Sequence, residues 1–355
     1  MKKWIMILSL AILLTGCGKK NITGEVLSVS SEGQYAHLIL QTEEGKQIQI
    51  LADGHTHVYS FAAIEEGLLS GELINPVITA YDLKRQNGGY LADRICVESV
   101  ELPQKYPLPD GTGLTVRKDY NFTIYIAPDG TEILRDQDPI GPENVSVGGI
   151  PSLDTLPDNT QTAILFYYEA LGSRYDLDAE LERAYQWYLE SDSENPFYSC
   201  MLSQDIIPTA ANERLVWYAA YTTTPVDGKT HHQTQLNTVF DRQTGAVVDP
   251  ADLFTCSESV SIEALLDASG MPDTELRQEM EKNFSFDYLT FESNTLGVCF
   301  PAGSLMGHPS GSYMLGIRYE DISHILHPWA IPDSIEIITT SKLVVCSAPI
   351  RVNTC

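Results

Sequence analysis

The chain has 355 residues, with 48 acidic and 22 basic side chains and a formal net charge of -26. Its 43% hydrophobic and 20% charged content is typical of a globular protein, and its length predicts about two domains. The acidic excess excludes DNA or RNA as a partner, because phosphate contacts need clustered lysine and arginine. It also disfavours adhesion to anionic lipid through a basic patch.

The N-terminus has the composition of a bacterial export signal. Two lysines precede an apolar run over residues 4–14, which is too short to span a bilayer. The run ends in Leu14-Thr15-Gly16-Cys17, which resembles the lipobox of bacterial lipoproteins. The resemblance implies removal of residues 1–16, attachment of diacylglyceryl lipid and palmitate-type acyl chains to Cys17, and a lipid-anchored tether over 17–22. We therefore expect an extracytoplasmic protein on the outer face of the cytoplasmic membrane, with no cytoplasmic part.

Six cysteines follow the lipidation site, an even number that permits disulfides outside the cytoplasm. None belongs to a C-x-x-C pair, so neither zinc-ribbon nor thioredoxin-like chemistry is indicated. Cys200 and Cys299 lie in apolar, strand-like runs, where buried free thiols are expected. Cys346 and Cys355 flank a short terminal segment and are the candidate disulfide, although the pattern leaves the pairing open.

Residues 23–102 predict an all-β unit. Alternating apolar positions are interrupted by Ser31-Glu32-Gly33 and Glu43-Glu44-Gly45, which are hairpin signals. A short helical or irregular piece separates these three strands from two more, at 72–81 and 90–100. This order is that of an OB-fold, so we predict an OB-like β-barrel. With 12 acidic and 4 basic residues the unit lacks a nucleic-acid groove, and we expect a spacer or a binding barrel.

A linker over 103–113, rich in proline and glycine, leads into a second predicted domain over 114–355. Apolar residues at three- and four-residue spacing predict a helix over 160–190 with a break at Gly172-Ser173. A second helical segment is predicted over 259–283, interrupted by a Gly-Met-Pro run. The remaining strands show no regular βαβ order, so the predicted fold is α+β, an antiparallel sheet with two helical segments.

Several segments of the second domain resemble one family. They are Leu215–Tyr221 with the loop Asp227–His232, Asn237–Gly245 running into Asp249–Phe254, and Phe286–Phe300 with the strand Tyr313–Tyr319. In order and spacing they are similar to the extracytoplasmic domain of RsiV-type anti-sigma factors. A similar domain precedes the catalytic part of some peptidoglycan deacetylases. The most specific part is the run from the Gly/His loop through Phe-Asp-x-x-Thr-Gly to Asp-Leu-Phe.

This resemblance covers residues 114–345 and implies an extracytoplasmic recognition module, which in the best-known member is a receptor for lysozyme. The chain departs from the family in three respects. We find neither the sigma-binding segment with its transmembrane helix nor the deacetylase domain, and the loop reads Lys229-Thr230-His231-His232 instead of a small Gly-Ala-His-like turn. The module can therefore be carried over, but the ligand specificity cannot.

Catalytic and metal-binding patterns are weak in this sequence. Asp53-Gly54-His55-Thr56-His57 places two imidazoles on one strand face, but two ligands are too few for a site and a surface turn is expected. The loop over residues 307–312 is rich in serine and histidine but lacks the Gly-x-Ser-x-Gly elbow. We predict no catalytic residue, no metal site and no cofactor.

The sequence thus favours a lipid-anchored recognition module that binds a cationic extracellular protein, such as a lysozyme-like muramidase, or peptidoglycan-associated material. Residues 103–355 carry 36 acidic and 14 basic side chains, which suits a basic partner. Two alternatives stay open: a cell-wall-modifying hydrolase with a carboxyl of raised pKa in a cleft, and a structural envelope lipoprotein. The candidate contact residues are Tyr221, Asp227, Lys229, His231, His232, His308 and Tyr313.

Overall fold

A computed structural model describes residues 21–60, 65–86, 88–272, 274–301, 303–306 and 312–334. The chain divides into two compact units, each of which is described by itself. Unit 1 comprises Met1–Asp138, Asp176–Ser203 and Thr224–His231, and unit 2 comprises Pro139–Tyr175, Gln204–Thr223 and His232–Cys355. The domain limits predicted from the sequence, at 23–102, 103–113 and 114–355, differ from the bounds of these two units and stay a prediction.

Strands dominate the chain, and the helices are few. In chain order the strands are β1 (Ile22–Glu32), β2 (Tyr35–Gln41), β3 (Gln47–Ala52), β4 (His57–Tyr59), β5 (Ile74–Tyr81), β6 (Lys84–Gln86), β7 (Gly89–Leu91), β8 (Arg94–Glu101), β9 (Tyr106–Pro107), β10 (Gly113–Asp119), β11 (Phe122–Ile126), β12 (Glu132–Gln137), β13 (Cys200–Ala211), β14 (Leu215–Asp227), β15 (Thr230–Asp241), β16 (Val247–Val248), β17 (Leu289–Phe291), β18 (Thr295–Phe300) and β19 (Tyr313–Arg318). This composition confirms the predicted α+β class.

The α-helices are α1 (Glu65–Ser70), α2 (Asp158–Leu171), α3 (Leu177–Glu190), α4 (Glu258–Ala268), α5 (Glu275–Asn283) and α6 (Tyr319–Ile322). Short 3₁₀ helices lie at Pro142–Asn144, Leu153–Thr155, Pro250–Leu253, Phe286–Tyr288 and Pro328–Ala330. The helix predicted over 160–190 is broken where expected, because Gly172 ends α2 with a φ of 63°. Over the described residues, no helix is both long enough and apolar enough to cross a membrane.

In unit 1 the strand order is β6-β7-β3-β2-β1-β5-β8-β10-β11-β12-β13. The meander β1–β2–β3 is antiparallel, and β5 pairs with β1 on its other side. The path does not close within the described residues, because β8 pairs with β10 at Arg117↔Glu101 and the sheet continues from there. The strand order therefore does not establish the OB-like barrel that the sequence predicts for 23–102.

The core of unit 1 follows from the two-residue period of its strands. Inward-facing aliphatic side chains of β1, β2, β3, β5 and β8 form one buried cluster, and Leu38, Leu40, Ile50, Ile78 and Ile95 are fully buried in it. Polar residues alternate with them on the outer face of β1 and β2, as a half-buried antiparallel sheet requires.

Unit 2 places its central strands between two layers. Because side chains alternate along β14, Leu215 and Trp217 pack against the small sheet β17–β18–β19, whereas Val216 and Tyr218 pack against α2. Both faces of this strand are buried, which explains its continuous apolar run in the sequence. The sheet between the layers continues as β13-β14-β15-β16. The part of β15 from His232 onward belongs to unit 2.

Candidate functional site

A groove runs beside β15 in unit 2, and we call it the β15 groove. It has a volume of about 310 Å³. Six consecutive β15 residues, His232 to Asn237, line it together with Arg174, Asp287, Tyr288, Cys299, Pro301 and Ser312. Since neighbouring strand residues point to opposite faces, a hollow lined by all six lies at the edge of the sheet rather than on one face.

Most of the residues that line the β15 groove have polar, uncharged side chains, although the surface of the groove is largely apolar. Two of the polar side chains are held in place. The Gln235 side-chain amide donates to Asn237 Oδ1 at 2.7 Å and to Thr290 Oγ1 at 2.9 Å. The Asn237 amide donates to the same hydroxyl at 3.1 Å. This network ties β15 to β17. Gln233 is exposed and Thr234 is half-buried, and both lie beside the fixed pair.

Arg174 and Asp287 are opposite charges in the lining of the β15 groove, and both are exposed. The loop that carries Arg174 is held by Gln204, whose side-chain oxygen accepts from the Arg174 backbone N–H at 2.8 Å. The Arg174 guanidinium also reaches the Ala220 carbonyl at 3.5 Å. The two charges leave the groove itself close to neutral, within a unit that carries 22 acidic and 8 basic side chains.

The thiol of Cys299 is part of the lining, and its charge acts on the phenol of Tyr221, which is not part of the lining. Burial raises the pKa of Cys299, and a hydrogen bond with Ser312 opposes the rise. Burial, followed by the charges of Glu292 and Cys299, also raises the pKa of Tyr221. Both groups are therefore neutral near pH 7, and neither is prepared as a nucleophile. Cys299 is a free thiol, as are Cys96, Cys200 and Cys256.

The turn between β14 and β15, in unit 1, holds two of the candidate contact residues. Asp227 Oδ1 accepts from the backbone N–H of Lys229 at 2.9 Å and of Thr230 at 2.7 Å. These bonds lower the pKa of the exposed Asp227 carboxyl, and the bond from Thr230 has the largest effect. The Lys229 ammonium donates to Asn195. Asp227 and Lys229 line a hollow of about 200 Å³ with the aromatic rings of Trp187 and Phe197.

The two neighbouring histidines have different surroundings. In unit 1, His231 Nε2 accepts the backbone N–H of Met201 at 2.9 Å, so this ring supports the start of β13. In unit 2, half-buried His232 lines the β15 groove. Tyr313 begins β19 opposite Phe300, one residue after the groove residue Ser312. The structure thus brings His232 and the start of β19 to one groove.

Other predicted positions fall outside the described residues: Cys17, His308, Cys346 and Cys355. Residues 53–56 form a turn, in which Asp53 Oδ1 accepts from the His55 N–H at 2.9 Å, and His57 begins β4. In the parts of the chain that the structure describes, no three His, Cys, Asp or Glu side chains are placed to hold a metal ion.

A third hollow, the α2 groove, has a volume of about 480 Å³. Leu165, Tyr168 and Ile206 form part of its wall, and two carboxylates, Glu143 and Glu169, stand at it. Burial raises the pKa of Glu180 and of Asp205, but neither residue lines any of the three hollows.

Sequence reasoning missed most of the β15 groove. Arg174 lies in the helix predicted over 160–190, next to its predicted break, and Asp287 and Tyr288 belong to the segment Phe286–Phe300 that carries the family resemblance. The one available signal was the composition of residues 232–238, which contain glutamine, threonine and asparagine but no acidic residue, lysine, arginine or proline. Such a polar strand cannot be distinguished from an ordinary solvent-facing strand without its neighbours.

Comparisons with known proteins give limited information. No protein-family model matches the chain, and no curated protein matches it. A solved DUF3298 family protein from Bacteroides fragilis is similar at 11% identity and a TM-score of 0.38, over 65% of this chain and 92% of that one. A DUF3298 family protein from Pseudomonas aeruginosa is similar at 15% identity and a TM-score of 0.25, over 42% and 71%. Both likenesses are weak, and we base no functional argument on them.

Proposed function

We propose that this protein is a lipid-anchored extracytoplasmic recognition module that binds a basic protein, with a lysozyme-like muramidase as the first partner to test. The observation that carries the proposal is a groove lined by neutral hydrogen-bonding side chains in a unit with 22 acidic and 8 basic residues. Such a charge excess steers a basic partner toward the surface, and neutral amides and hydroxyls then form short-range contacts.

The RsiV-like character of residues 114–345 is part of this proposal. Its support is the order of the sequence segments together with the turn that the specific motif forms. Asp241 Oδ1 accepts from Gln243 N at 3.0 Å and from Thr244 N at 2.9 Å, and Gly245 has a φ of 72°. The residues of the motif Phe-Asp-x-x-Thr-Gly are therefore explained by the turn that they form, independently of any ligand.

An OB-like organisation of residues 23–102 is also kept as a proposal. Its support is two short parallel pairings, β3 with β7 at Ile50↔Tyr90 and β4 with β8 at His57↔Arg94. The first joins the third strand of the meander to β7, and the second joins β4 to β8, so strands from the beginning and the end of this segment pair with each other. We propose no nucleic-acid ligand for it, because the acidic excess opposes one.

The test is calorimetric titration of the full-length protein, purified in detergent, with a c-type lysozyme at about 50 and 500 mM salt. We expect micromolar or tighter binding that weakens at high salt. Lysozyme with acetylated lysines is the control, because acetylation removes positive charge. Absence of binding at both salt concentrations would exclude lysozyme as the partner, and equal binding of the acetylated protein would contradict electrostatic steering.

A further inference from the structure

Among the residues that the structure describes, one edge of β15 has no strand partner along most of its length. Within unit 2, β14 pairs with β15 on one side. On the other side, the described residues provide only the two-residue strand β16, which pairs at Val239 and Phe240. Residues 232–238 therefore present to the β15 groove a strand edge that no described strand pairs with.

Hydrogen bonds at the end of β15 show which backbone groups face that edge. Asp241 N donates to Ala246 O at 2.8 Å, on the β16 side, whereas Arg242 N donates to Arg214 O at 2.8 Å, on the β14 side. Backbone groups alternate sides along an antiparallel strand. The N–H and C=O groups of Gln233, Gln235 and Asn237 therefore point to the free edge.

This edge also lacks the features by which proteins usually block strand pairing. Residues 232–238 read His-Gln-Thr-Gln-Leu-Asn-Thr, without proline, lysine or an acidic residue. An exposed edge of this kind is the feature to which extended peptides add as a further strand.

We propose that the β15 groove binds an extended, basic peptide segment of a partner protein, which adds as a strand to the free edge at Gln233, Gln235 and Asn237. The inference deepens the proposed function, on which it rests for the basic nature of the partner. Main-chain hydrogen bonds to the edge supply affinity, and the neutral side chains of the groove, such as Thr234 and Ser312, contact alternate side chains of the peptide.

The basic character follows from charge rather than from the groove lining. Arg174 and Asp287 balance each other, so the groove itself selects neither sign. The surrounding unit carries 22 acidic and 8 basic residues, so an approaching acidic peptide is repelled and a basic one attracted. We expect this attraction to fall with salt, whereas the main-chain pairing is much less sensitive to it.

The test uses Gln233→Pro in the full-length protein, with Gln233→Ala as the matched control. Proline removes the edge-facing N–H at position 233 but leaves the β14 side of the strand intact, and edge strands tolerate proline. Alanine removes the same exposed side chain and keeps the N–H. The probe is a ten-residue peptide of alternating lysine and threonine, with binding measured by fluorescence anisotropy. We expect Gln233→Pro to weaken binding at least about tenfold and Gln233→Ala to weaken it about twofold or less.

Two peptide controls do not depend on folding of a variant. The same peptide, methylated on its six central backbone nitrogens, cannot donate to the edge and is expected not to bind. An alternating glutamate–threonine peptide is expected to bind at least about tenfold more weakly. Equal binding of the methylated peptide would overturn strand addition, and equal binding of the acidic peptide would overturn the basic partner.

Hydrogen exchange separates the remaining outcomes. Peptide-dependent protection of the amides of Gln233, Gln235 and Asn237 supports the proposal, whereas full protection before any peptide is added shows that the chain's own residues occupy the edge and overturns it. Lysozyme binding that neither Gln233→Pro nor competition by the unmethylated lysine–threonine peptide affects would leave the proposed function standing and overturn the strand addition. Peptide binding with the expected proline sensitivity, but without lysozyme binding, would support strand addition and exclude lysozyme.

Discussion

Single aspartates organise the turns of this protein, and two of them belong to the segments that resemble the RsiV-type family. Asp227 and Asp241 each accept hydrogen bonds from the backbone two and three residues ahead and from a threonine hydroxyl. Burial alone would raise the pKa of Asp241, but bonds from Thr244 and Gln243 outweigh it and lower that pKa. Asp227, a predicted contact residue, therefore uses much of its accepting capacity within its own turn.

A substitution of Gly245 is expected to destabilise the folded protein. Its φ is 72°, and a Cβ there would lie 2.5 Å from the Ala163 Cβ and 3.1 Å from the Thr160 backbone. Gly245→Ala therefore combines backbone strain with a clash against α2, and we expect a loss of about 3 kcal/mol in the free energy of unfolding. Urea denaturation measures it.

The matched control is Gly130→Ala, at a turn with a φ of 92° and no atom within 4 Å of the new Cβ. Only backbone strain applies there, so we expect a loss of about 1 kcal/mol. Equal losses for the two variants would show that the tight approach of the turn to α2 does not contribute.

Among the elements, the helix α3 of unit 1 follows its sequence pattern and yet buries a carboxyl group, which is unfavourable for the charged form of that group. Asp176 caps the helix by accepting from Asp178 N and Ala179 N, as a helix start requires. Its inner face buries Leu181, Ala184 and Tyr185, but also Glu180, which is 6% exposed. Glu180 pairs with Arg183, yet burial raises the pKa of its carboxyl.

This raised pKa predicts the effect of Glu180→Gln. The folded state holds the proton more tightly than the unfolded state, so the stabilising contribution of protonated Glu180 is present at acidic pH and is lost as pH rises through its folded pKa. We expect the variant and the parent to unfold at the same urea concentration near pH 4, and the variant to be the more stable at pH 7. A parent that is more stable than the variant at pH 7 would mean that the Arg183 ion pair outweighs the burial.

At the scale of the whole molecule, the lipobox resemblance predicts attachment to the membrane, and the acidic excess predicts attraction of a basic partner. Cys17→Ser is expected to abolish labelling with radioactive palmitate and to move the protein from the membrane fraction to the soluble one, because the thiol is the predicted attachment point. Cys256→Ser is the control, since this thiol is half-buried and hydrogen-bonded to Ser261. Labelling that persists in Cys17→Ser would contradict the lipid anchor.

The α+β class and the helix breaks could be predicted from the sequence because they depend on neighbours along the chain. The interruptions at Gly172 and before Pro272 follow from glycine and proline, and the strands of unit 1 follow from alternation and turn residues. The lipidation at Cys17 can likewise be predicted from neighbouring residues alone, because an export signal is a local sequence pattern.

The β15 groove could not be predicted in this way. Its lining joins Arg174, residues 232–237 and the ends of strands near Tyr288, Cys299 and Ser312, which are far apart in the chain. Whether a strand has a partner on each side is a property of the sheet and not of its own residues, so the free edge of β15 has no sequence signature. The chain pattern thus determined which segments are strands and which are helices, whereas tertiary packing alone decided that, among the described residues, one polar strand has an edge largely without a strand partner.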